Sequence, residues 1–389
     1  NTSGDNNTAV GFCTLECNTS GASNVALGVQ ALAANTTASC NTAVGQNALQ
    51  DNTTGATNTA VGSYSLSTAI TAGNNAAVGH CALNLTTTSE NAAFGANALR
   101  AQTTGIYNTA VGSAAGLKTT TGTRNVAVGT TALACNTTGS CNTAVGGMDG
   151  GTLPTMWCNT SGCRNTALGN ATLVKNTTGD FNTAVGALAL YSSTTSDSNT
   201  AVGVQSLTSN TTGTQNTAVG KGSLDSVTTG NNNVAIGEGA GGNITTGTNN
   251  IALGYVAGTD AVGDLITSTN FIILGNNSHT NAKIKIDWTV TSDLRDKTNF
   301  GIVPHGLNFV NQLEPISFQF KKSRENDKPH GDVRYGFKAQ DILALEGENP
   351  VIIDNKDTEN LGYTAGNMVP VLVNAIKELK AEIELLKNK

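Results

Sequence analysis

The stretch Asn58-Thr59-Ala60-Val61-Gly62 decides the fold, because its pattern, Asn-x-Ala-x-Gly, occurs fifteen times along the chain. The copies begin at Asn7, Asn24, Asn41, Asn58, Asn75, Asn91, Asn108, Asn125, Asn142, Asn165, Asn182, Asn199, Asn216, Asn233 and Asn250. Each step is 17 residues, apart from 16 into Asn91 and 23 into Asn165. The residue between Ala and Gly is always apolar, and a Leu often follows four residues after the Gly. Such constant phase indicates a repeat architecture.

Each repeat has the composition of one coil of a β-solenoid. The Thr-Ala-Val triplet alternates as a short strand with one buried face would. The Gly then turns the chain, a second short segment carries the Leu, and a string such as Asn52-Thr53-Thr54-Gly55 closes the coil. Stacking predicts Asn ladders, Val ladders and a narrow core of Ala and Val. A helical repeat is the alternative, but Gly and β-branched residues in every period disfavour helix.

Composition divides the chain into two blocks. The 389 residues include 45 Gly and only 12% charged residues, which suits a repeat better than a core of large side chains. Residues 1–288 carry 8 basic and 12 acidic residues, whereas residues 289–389 carry 13 and 15. We therefore predict a β-solenoid over 1–258, a transition segment over 259–291 and a small α+β domain over 292–389. No basic patch indicates nucleic acid, no apolar run indicates a membrane span, and we expect no cofactor and no metal.

The recurring Asn-Thr-Ala-Val-Gly string resembles the head repeats of trimeric autotransporter adhesins and the β-roll segments of some phage fibres. The resemblance covers residues 1 to about 258. In those proteins three rolls associate, with one face of each roll buried on the axis. It implies a trimeric β-roll for this block and implies no ligand.

Five ordered motifs fill the second block. They are Ser-Asp-Leu-Arg-Asp-Lys (292–297), Leu-Glu-Pro-Ile-Ser-Phe-Gln-Phe (313–320), Tyr-Gly-Phe-Lys-Ala-Gln-Asp (335–341), Leu-Gly-Tyr (361–363) and Met-Val-Pro-Val-Leu-Val-Asn-Ala-Ile-Lys-Glu-Leu (368–379). In that order they resemble the intramolecular chaperone domain of endosialidases and other phage tail spikes, which also occurs in the myelin regulatory factor family. The resemblance implies a domain that trimerises, templates the folding of the preceding fibre and often cuts itself off.

The resemblance also places the cleavage between Thr291 and Ser292, just before the Ser of a Ser-Asp-x-Arg-x-Lys motif. It implies a catalytic set of Ser292, Lys297, Asp293 and Arg295. The Ser292 hydroxyl adjoins the Thr291 carbonyl, and Lys297 would act as its base if burial or Arg295 lowered its pKa. Backbone N–H groups or Arg295 would hold the oxyanion. This is single-turnover chemistry, and no multiple-turnover activity is expected.

The chain ends in a heptad pattern on a predicted helix over 368–389. Its a and d positions are Val369, Leu372, Ile376, Leu379, Ile383 and Leu386, spaced alternately by three and four residues. Pro370 falls in the first turn of that helix, where proline is tolerated. Mixed Ile and Leu do not fix the number of strands, so the trimer follows from the resemblance. The alternative is an amphipathic helix that packs on its own domain.

The eight cysteines lie in the first half of the chain. Cys135 and Cys158 both precede their repeat Asn by seven residues, so they stack on adjacent coils at about 4.8 Å between Cα atoms, which is within disulfide reach. Cys141 and Cys163 lie nearby in the same coils. Disulfides and free thiols both remain open from the sequence, and a metal is the weakest alternative. Disulfides would indicate an extracellular or virion-exterior setting.

One insertion interrupts the repeat, roughly from Gly147 to Trp157. Its unusual residues Met148, Met156 and Trp157 make it a candidate receptor-contacting loop, although a plug over a kink in the roll fits equally well. The leading functional hypothesis is a viral or phage tail-fibre or spike protein on the virion exterior, a homotrimer that binds a host cell-surface receptor or glycan. The alternative is a trimeric adhesin or filament component of a microbial cell surface.

Overall fold

The computed structural model describes residues 2–148, 153–259, 265–279, 292–323, 326–355, 358 and 361–388. The chain forms two compact units that divide near residue 276. The first unit is the predicted solenoid. The second contains helices and short β-hairpin ladders.

One parallel sheet of sixteen three-residue strands runs through the first unit, with each strand paired to the next in sequence. The strands are Thr8–Val10 (β1), Val25–Leu27 (β2), Thr42–Val44 (β3), Thr59–Val61 (β4), Ala76–Val78 (β5), Ala92–Phe94 (β6), Thr109–Val111 (β7), Val126–Val128 (β8), Thr143–Val145 (β9), Thr166–Leu168 (β10), Thr183–Val185 (β11), Thr200–Val202 (β12), Thr217–Val219 (β13), Val234–Ile236 (β14), Ile251–Leu253 (β15) and Ile272–Leu274 (β16). Each Ala pairs with the Ala of the next coil, as Ala60 does with Ala77. The solenoid prediction is confirmed.

The sixteenth strand lies in the stretch that the sequence analysis treated as a transition segment. Phe271 takes the place of the repeat Asn, and its backbone N–H still donates to Asn250 Oδ1 at 3.1 Å. Ile273 replaces the core Ala, and Gly275 keeps the turn at a positive φ of 81°. The Asn-x-Ala-x-Gly pattern misses this coil because two of its three fixed residues are changed.

The predicted Asn ladder runs along the solenoid. The side-chain oxygen of each repeat Asn accepts from the backbone N–H of the next repeat Asn, for example Asn199 to Asn216 at 3.0 Å. The Nδ2 group of Asn216 donates to the carbonyl of Gly230, which lies in the closing turn of its own coil, at 2.8 Å. From Asn24 onward these side chains are buried. A buried row of amides is stable because both the oxygen and the Nδ2 group of each side chain have hydrogen-bond partners.

The core is made of Ala and Leu, not of Ala and Val as predicted. The central Ala of every strand from β2 to β15 is buried. The Leu four residues after the Gly fills the remaining space, and it does so from a left-handed backbone conformation, with φ near 50° at Leu49 and Leu190. The last residue of each strand points out instead, as Val10 and Phe94 do. We call these sixteen outward residues the Val row.

The second unit contains α1 (Leu307–Asn311), β17 (Ile316–Ser323), β18 (Asn326–Gly336), α2 (Ala339–Glu346), β19 (Ile353–Asp354), β20 (Gly362–Tyr363) and α3 (Ala365–Lys387). The β17–β18 and β19–β20 pairs are antiparallel. A small core joins α1, α2 and the start of α3 through Phe309, Ile342, Ile352, Ile353, Met368 and Val371. Because α3 begins at Ala365, Pro370 lies in its second turn and not in the first turn as predicted.

Candidate functional site: the Ser292–Lys297 pair and the last helix

A single turn of 3₁₀ helix, Leu294–Asp296, brings the two ends of the Ser-Asp-x-Arg-x-Lys motif together. Asp293 caps its start, since Asp293 Oδ1 accepts from the backbone N–H of Arg295 at 2.8 Å. At its end the backbone N–H of Lys297 donates to Leu294 O at 3.2 Å. The chain folds back over this turn, and Lys297 Nζ donates to Ser292 Oγ at 2.6 Å. The predicted nucleophile and base are therefore in direct contact.

Arg295 has a role that the sequence analysis did not anticipate. Its guanidinium grips the Asp293 carboxylate at two points, Nε to Oδ1 at 3.0 Å and Nη2 to Oδ2 at 2.6 Å. The side-chain hydrogen bond from Arg295, followed by the bond from its backbone N–H, holds the pKa of Asp293 below its usual range. Arg295 thus anchors the cap of the turn that positions Lys297. In this arrangement its guanidinium is engaged by Asp293, and a role for it at the oxyanion stays a prediction.

The Ser292 and Lys297 side chains are both exposed in the single chain. A lysine acts as a base only after it loses its proton, and an ammonium group loses its proton more readily when it is removed from water. The contact between the two side chains thus supplies the geometry of a dyad but not its dry surroundings. Thr291, on the other side of the predicted cleavage bond, lies outside the described residues.

Helix α3 presents two neighbouring apolar faces. Met368, Val371 and Ala375 are buried against the domain's own core. The six predicted a and d residues, Val369, Leu372, Ile376, Leu379, Ile383 and Leu386, lie on the other face and are between 42% and 69% exposed. We call this second set the seam. The helix therefore packs on its own domain, as the alternative interpretation of the sequence predicted, but it does so through Met368, Val371 and Ala375 and not through the seam.

The N-terminal end of the seam borders an apolar cavity of about 250 Å³. Its walls come from α1, from the segments that flank the β17–β18 hairpin, from β20 and from α3, and they include Val310, Leu313, Pro315, Phe337 and Tyr363. Val369 and Leu372, the first two seam residues, form part of the same lining. An open apolar hollow continuous with an exposed apolar helix face is the kind of surface that another chain covers.

The cysteines of the solenoid are free thiols, and all eight lie in the described part of the chain. Cys135 and Cys158 occupy equivalent positions on adjacent coils, as predicted. Burial raises the pKa of the Cys158 thiol, the neighbouring Cys135 adds to that rise, and Lys175 opposes it. Cys163 Sγ accepts from the backbone N–H of Ser140 at 3.3 Å, and the Cys141 side chain is exposed. A disulfide between these thiols stays a prediction.

The insertion is shorter than its sequence suggested. Met156 is fully buried and occupies the core position that Leu133 and Leu173 hold in the coils on either side, so it cannot belong to a receptor-contacting loop. Trp157 follows it in the coil and is half-buried, while Met148 is 57% exposed. Relative to a 17-residue coil, the six extra residues are therefore 148–153. Residues 149–152 at its centre lie outside the described part.

Among the described residues, no group of three or more His, Cys, Asp or Glu side chains has the arrangement of a metal site. Within the same ranges, no helix combines the length and the apolar character needed to cross a bilayer.

Comparison with known families identifies the C-terminal domain. Residues 292–349 match the family described as chaperone of endosialidase, peptidase family S74. The match begins at Ser292, whose hydroxyl accepts a hydrogen bond from Lys297. No curated protein matches the chain significantly. A chaperone-of-endosialidase domain that follows a β-solenoid of about fifteen 17-residue coils fits a protein of the phage tail-fibre type.

Proposed function

We propose that this protein is the trimeric shaft of a viral or phage fibre, assembled by its C-terminal domain. The observation that carries the proposal is the seam of α3. Six large apolar side chains with a and d spacing lie exposed on a helix whose other apolar face is already packed. Three copies of the helix would bury the seams against one another, as heptad helices do. The cavity at the start of the seam would be covered in the same step.

The solenoid offers a second apolar surface to the same partner. The Val row has members such as Val10, Leu27, Phe94 and Ile236, each more than 40% exposed. Sixteen outward residues in register form a continuous stripe, which favours lateral association with other copies of the chain. A trimer in which the Val rows face the axis agrees with the resemblance to adhesin heads and phage β-rolls.

A trimer of such repeats needs an external guide for its register. Neighbouring coils carry nearly the same residues, so three chains could pair one or more coils out of phase with little loss of contact energy. The C-terminal domain has a non-repeating sequence and therefore a single way to associate. If it trimerises first, it aligns the three chains at one end, and the solenoids then pair in the correct register. This is the physical reason for a chaperone in the same chain.

Release of the chaperone by self-cleavage is the second part of the proposal. Ser292 Oγ would attack the carbonyl carbon of Thr291, and its proton would pass to Lys297. The Thr291–Ser292 C–N bond would break as the Ser292 nitrogen takes up a proton, which leaves an ester between Thr291 and the Ser292 oxygen. Water would then hydrolyse that ester to a free Thr291 carboxylate and restore the serine. The 2.6 Å contact between Lys297 Nζ and Ser292 Oγ supports this assignment.

Assembly would control the timing of this step. Because Ser292 and Lys297 are exposed in the single chain, Lys297 remains surrounded by water until another surface covers it. Trimerisation can supply that surface, so we expect cleavage to follow assembly. A chaperone domain that is released only after the shaft has folded would stay attached throughout assembly.

Truncation tests the chaperone role. A chain that ends at Thr291 should give aggregated or misfolded material, whereas the full chain should give a soluble trimer, as measured by light scattering after size exclusion. The matched control is full-length protein with Ser292→Ala, which cannot release the domain but retains it for assembly. A truncated chain that forms the native trimer at the yield of the full chain would contradict the proposal.

The setting that follows is the virion exterior, with the solenoid available to a host-surface receptor or glycan. The C-terminal domain type supports this setting, because it is found in phage tail proteins. The alternative, an adhesin or filament component of a microbial cell surface, would use the same trimeric roll.

A further inference from the structure

The basic residues of the solenoid are concentrated in a few coils. Residues 91–176 contain five of them, Arg100, Lys118, Arg124, Arg164 and Lys175, and one acidic residue. The rest of the chain up to residue 279 contains one basic residue, Lys221, and ten acidic residues. A nearly uncharged repeat therefore has a net positive middle between acidic ends. Nothing in the coil architecture demands that bias, since each of these positions holds uncharged residues in other coils.

Coil stacking arranges four of these cations around one surface. Lys118 and Lys175 each precede a repeat Asn by seven residues, and Arg124 and Arg164 each directly precede one. The strands pair in register through these coils, so the two positions form two parallel rows. Lys118 and Arg124 belong to one coil, and the other two cations lie two and three coils further along. We call this set the cationic platform.

Aromatic rings hold the two arginines of the platform. Arg124 Cζ lies 5.5 Å from the ring centroid of Tyr107 on the preceding coil, and Arg164 Cζ lies 5.1 Å from that of Phe181 on the following coil. The two guanidinium groups thus point in opposite directions along the solenoid. The coils that carry Arg124 and Arg164 are two steps, or about 10 Å, apart. A guanidinium that rests on a ring keeps its in-plane N–H donors free for an anion.

None of the four platform cations forms an ion pair with another described residue. Among the described residues, no carboxylate lies within 4.0 Å of the charged groups of Lys118, Arg124, Arg164 or Lys175, and the described part of the solenoid has a single ion pair, Lys221 with Glu238 at 3.2 Å. Lys175 instead lies over the ring of Tyr191 at 5.1 Å. Two carboxylates border the platform, since Glu90 bonds the Tyr107 hydroxyl and Asp180 Oδ1 accepts from the Cys163 N–H at 2.6 Å. Neither forms an ion pair with the four exposed cations, which therefore remain available to an external polyanion.

Hydroxyl groups occupy the surface between the two rows. Thr120 Oγ1 donates to Thr137 O at 3.1 Å, and Thr137 Oγ1 donates to Thr160 O at 3.0 Å, so each of these hydroxyls is held in place and keeps its acceptor side. The adjacent Thr121 and Thr138 side chains are exposed. Ordered acceptors and free hydroxyls between fixed cations suit a ligand that carries both hydroxyl and anionic groups.

We propose that the cationic platform binds an acidic polysaccharide, one that carries carboxylate or sulfate groups on its sugars. The inference rests on the proposed function of a fibre that contacts host surfaces, and it names the ligand class. A polysaccharide fits better than a single-stranded nucleic acid, because the rings of Tyr107 and Phe181 are each covered on one face by a guanidinium and offer little room for stacked bases.

Binding of the full-length protein to immobilised polymers tests the inference. The probes are heparin for sulfate, hyaluronate for carboxylate, neutral dextran and single-stranded DNA, each at several salt concentrations. We expect binding to heparin, hyaluronate or both that weakens with salt. Arg124→Gln combined with Arg164→Gln should weaken it about 30-fold, as the loss of two exposed ionic contacts would. The matched control Lys221→Gln, which removes a cation of the solenoid outside residues 91–176, should leave affinity unchanged.

The outcomes separate this inference from the proposed function. Binding to one or both acidic polysaccharides that is weakened about 30-fold in the double variant and retained in the control, with an unchanged melting temperature and native mass, supports the platform. No binding, equal binding to dextran, tighter binding to DNA, or equal affinity of the double variant would each overturn it. A protein that is trimeric but binds no polyanion refutes the platform alone. A protein that binds but stays monomeric refutes the assembly proposal alone.

Discussion

Replacing Ile376 by Asp should dissociate the proposed trimer without unfolding the chain. Ile376 lies in the middle of the seam, is 66% exposed in the single chain and is not a member of the domain's own core. Full burial of an isoleucine contributes roughly 1.5–3 kcal/mol. About two thirds of that per chain, counted over three chains, is roughly 3–6 kcal/mol of assembly free energy.

The aspartate adds a further cost, because three carboxylates would meet at the axis of the helical bundle. We therefore expect the association constant of the trimer to fall by at least about a hundredfold. The assay is sedimentation equilibrium over a series of protein concentrations, with circular dichroism to confirm that α3 still forms. The matched control is Lys377→Asp, which places the same side chain on the next residue of the helix, at an exposed position outside the seam.

Two results would refute the reasoning. If Ile376→Asp remains a trimer at the dilution at which the wild type does, the seam is not the trimer contact. If both variants dissociate equally, added negative charge on the helix is responsible, and burial of the seam is not. The combination that supports the proposal is a dissociated Ile376→Asp protein and a trimeric Lys377→Asp protein, both with native helix content.

Two further predictions concern the dyad and the coil. Folded wild-type protein should release a fragment that begins at Ser292, as seen on denaturing gels. Ser292→Ala should abolish this fragment, and Lys297→Ala should slow its release about a hundredfold or more, as loss of a general base does. A wild-type protein that assembles but keeps one full-length band for days would show that the dyad is inactive. Gly186→Val should lower the Tm of the solenoid by roughly 6–12 °C, about 3 kcal/mol, since φ is +122° and a Cβ atom would lie 2.7 Å from the Gly203 carbonyl, while the exposed Thr178→Ser should melt like wild type; equal melting of both would disprove the coil assignment.

The composition of the repeat explains why so much of the solenoid could be predicted. A 17-residue period with a fixed Asn and a fixed Gly indicates a solenoid of stacked coils. A buried Asn needs hydrogen-bond partners, and stacked identical coils place the equivalent Asn of the next coil within reach. The Asn199–Asn216 bond is an example. In the C-terminal domain the resemblance of the Ser-Asp-x-Arg-x-Lys motif to the chaperone family pointed to Ser292 and Lys297, and one turn of local chain brings their side chains into contact.

The sequence did not reveal which apolar residues face inward. Ala and Val alternate in each strand, and that pattern alone cannot say that Val points out and that Leu fills the core. The answer depends on the left-handed conformation at Leu49 and its equivalents, which costs about 1–2 kcal/mol per residue in isolation and becomes favourable only when the Leu side chain is buried by the coils above and below. No local propensity predicts such a conformation for leucine.

By itself, the sequence determined the coil period, the Asn ladder and the heptad spacing of the last helix, because each depends on contacts between residues at fixed separations along the chain. The Ser-Lys pair was indicated by the resemblance of its motif to a known family. The tertiary structure alone decided that the Val row is exposed, that Met156 belongs to the core, that Arg295 grips Asp293, and that α3 packs on its domain through Met368 and not through the seam. These features depend on the direction in which side chains leave the backbone and on what space the neighbouring coils or helices leave for them, and a linear pattern does not contain that information.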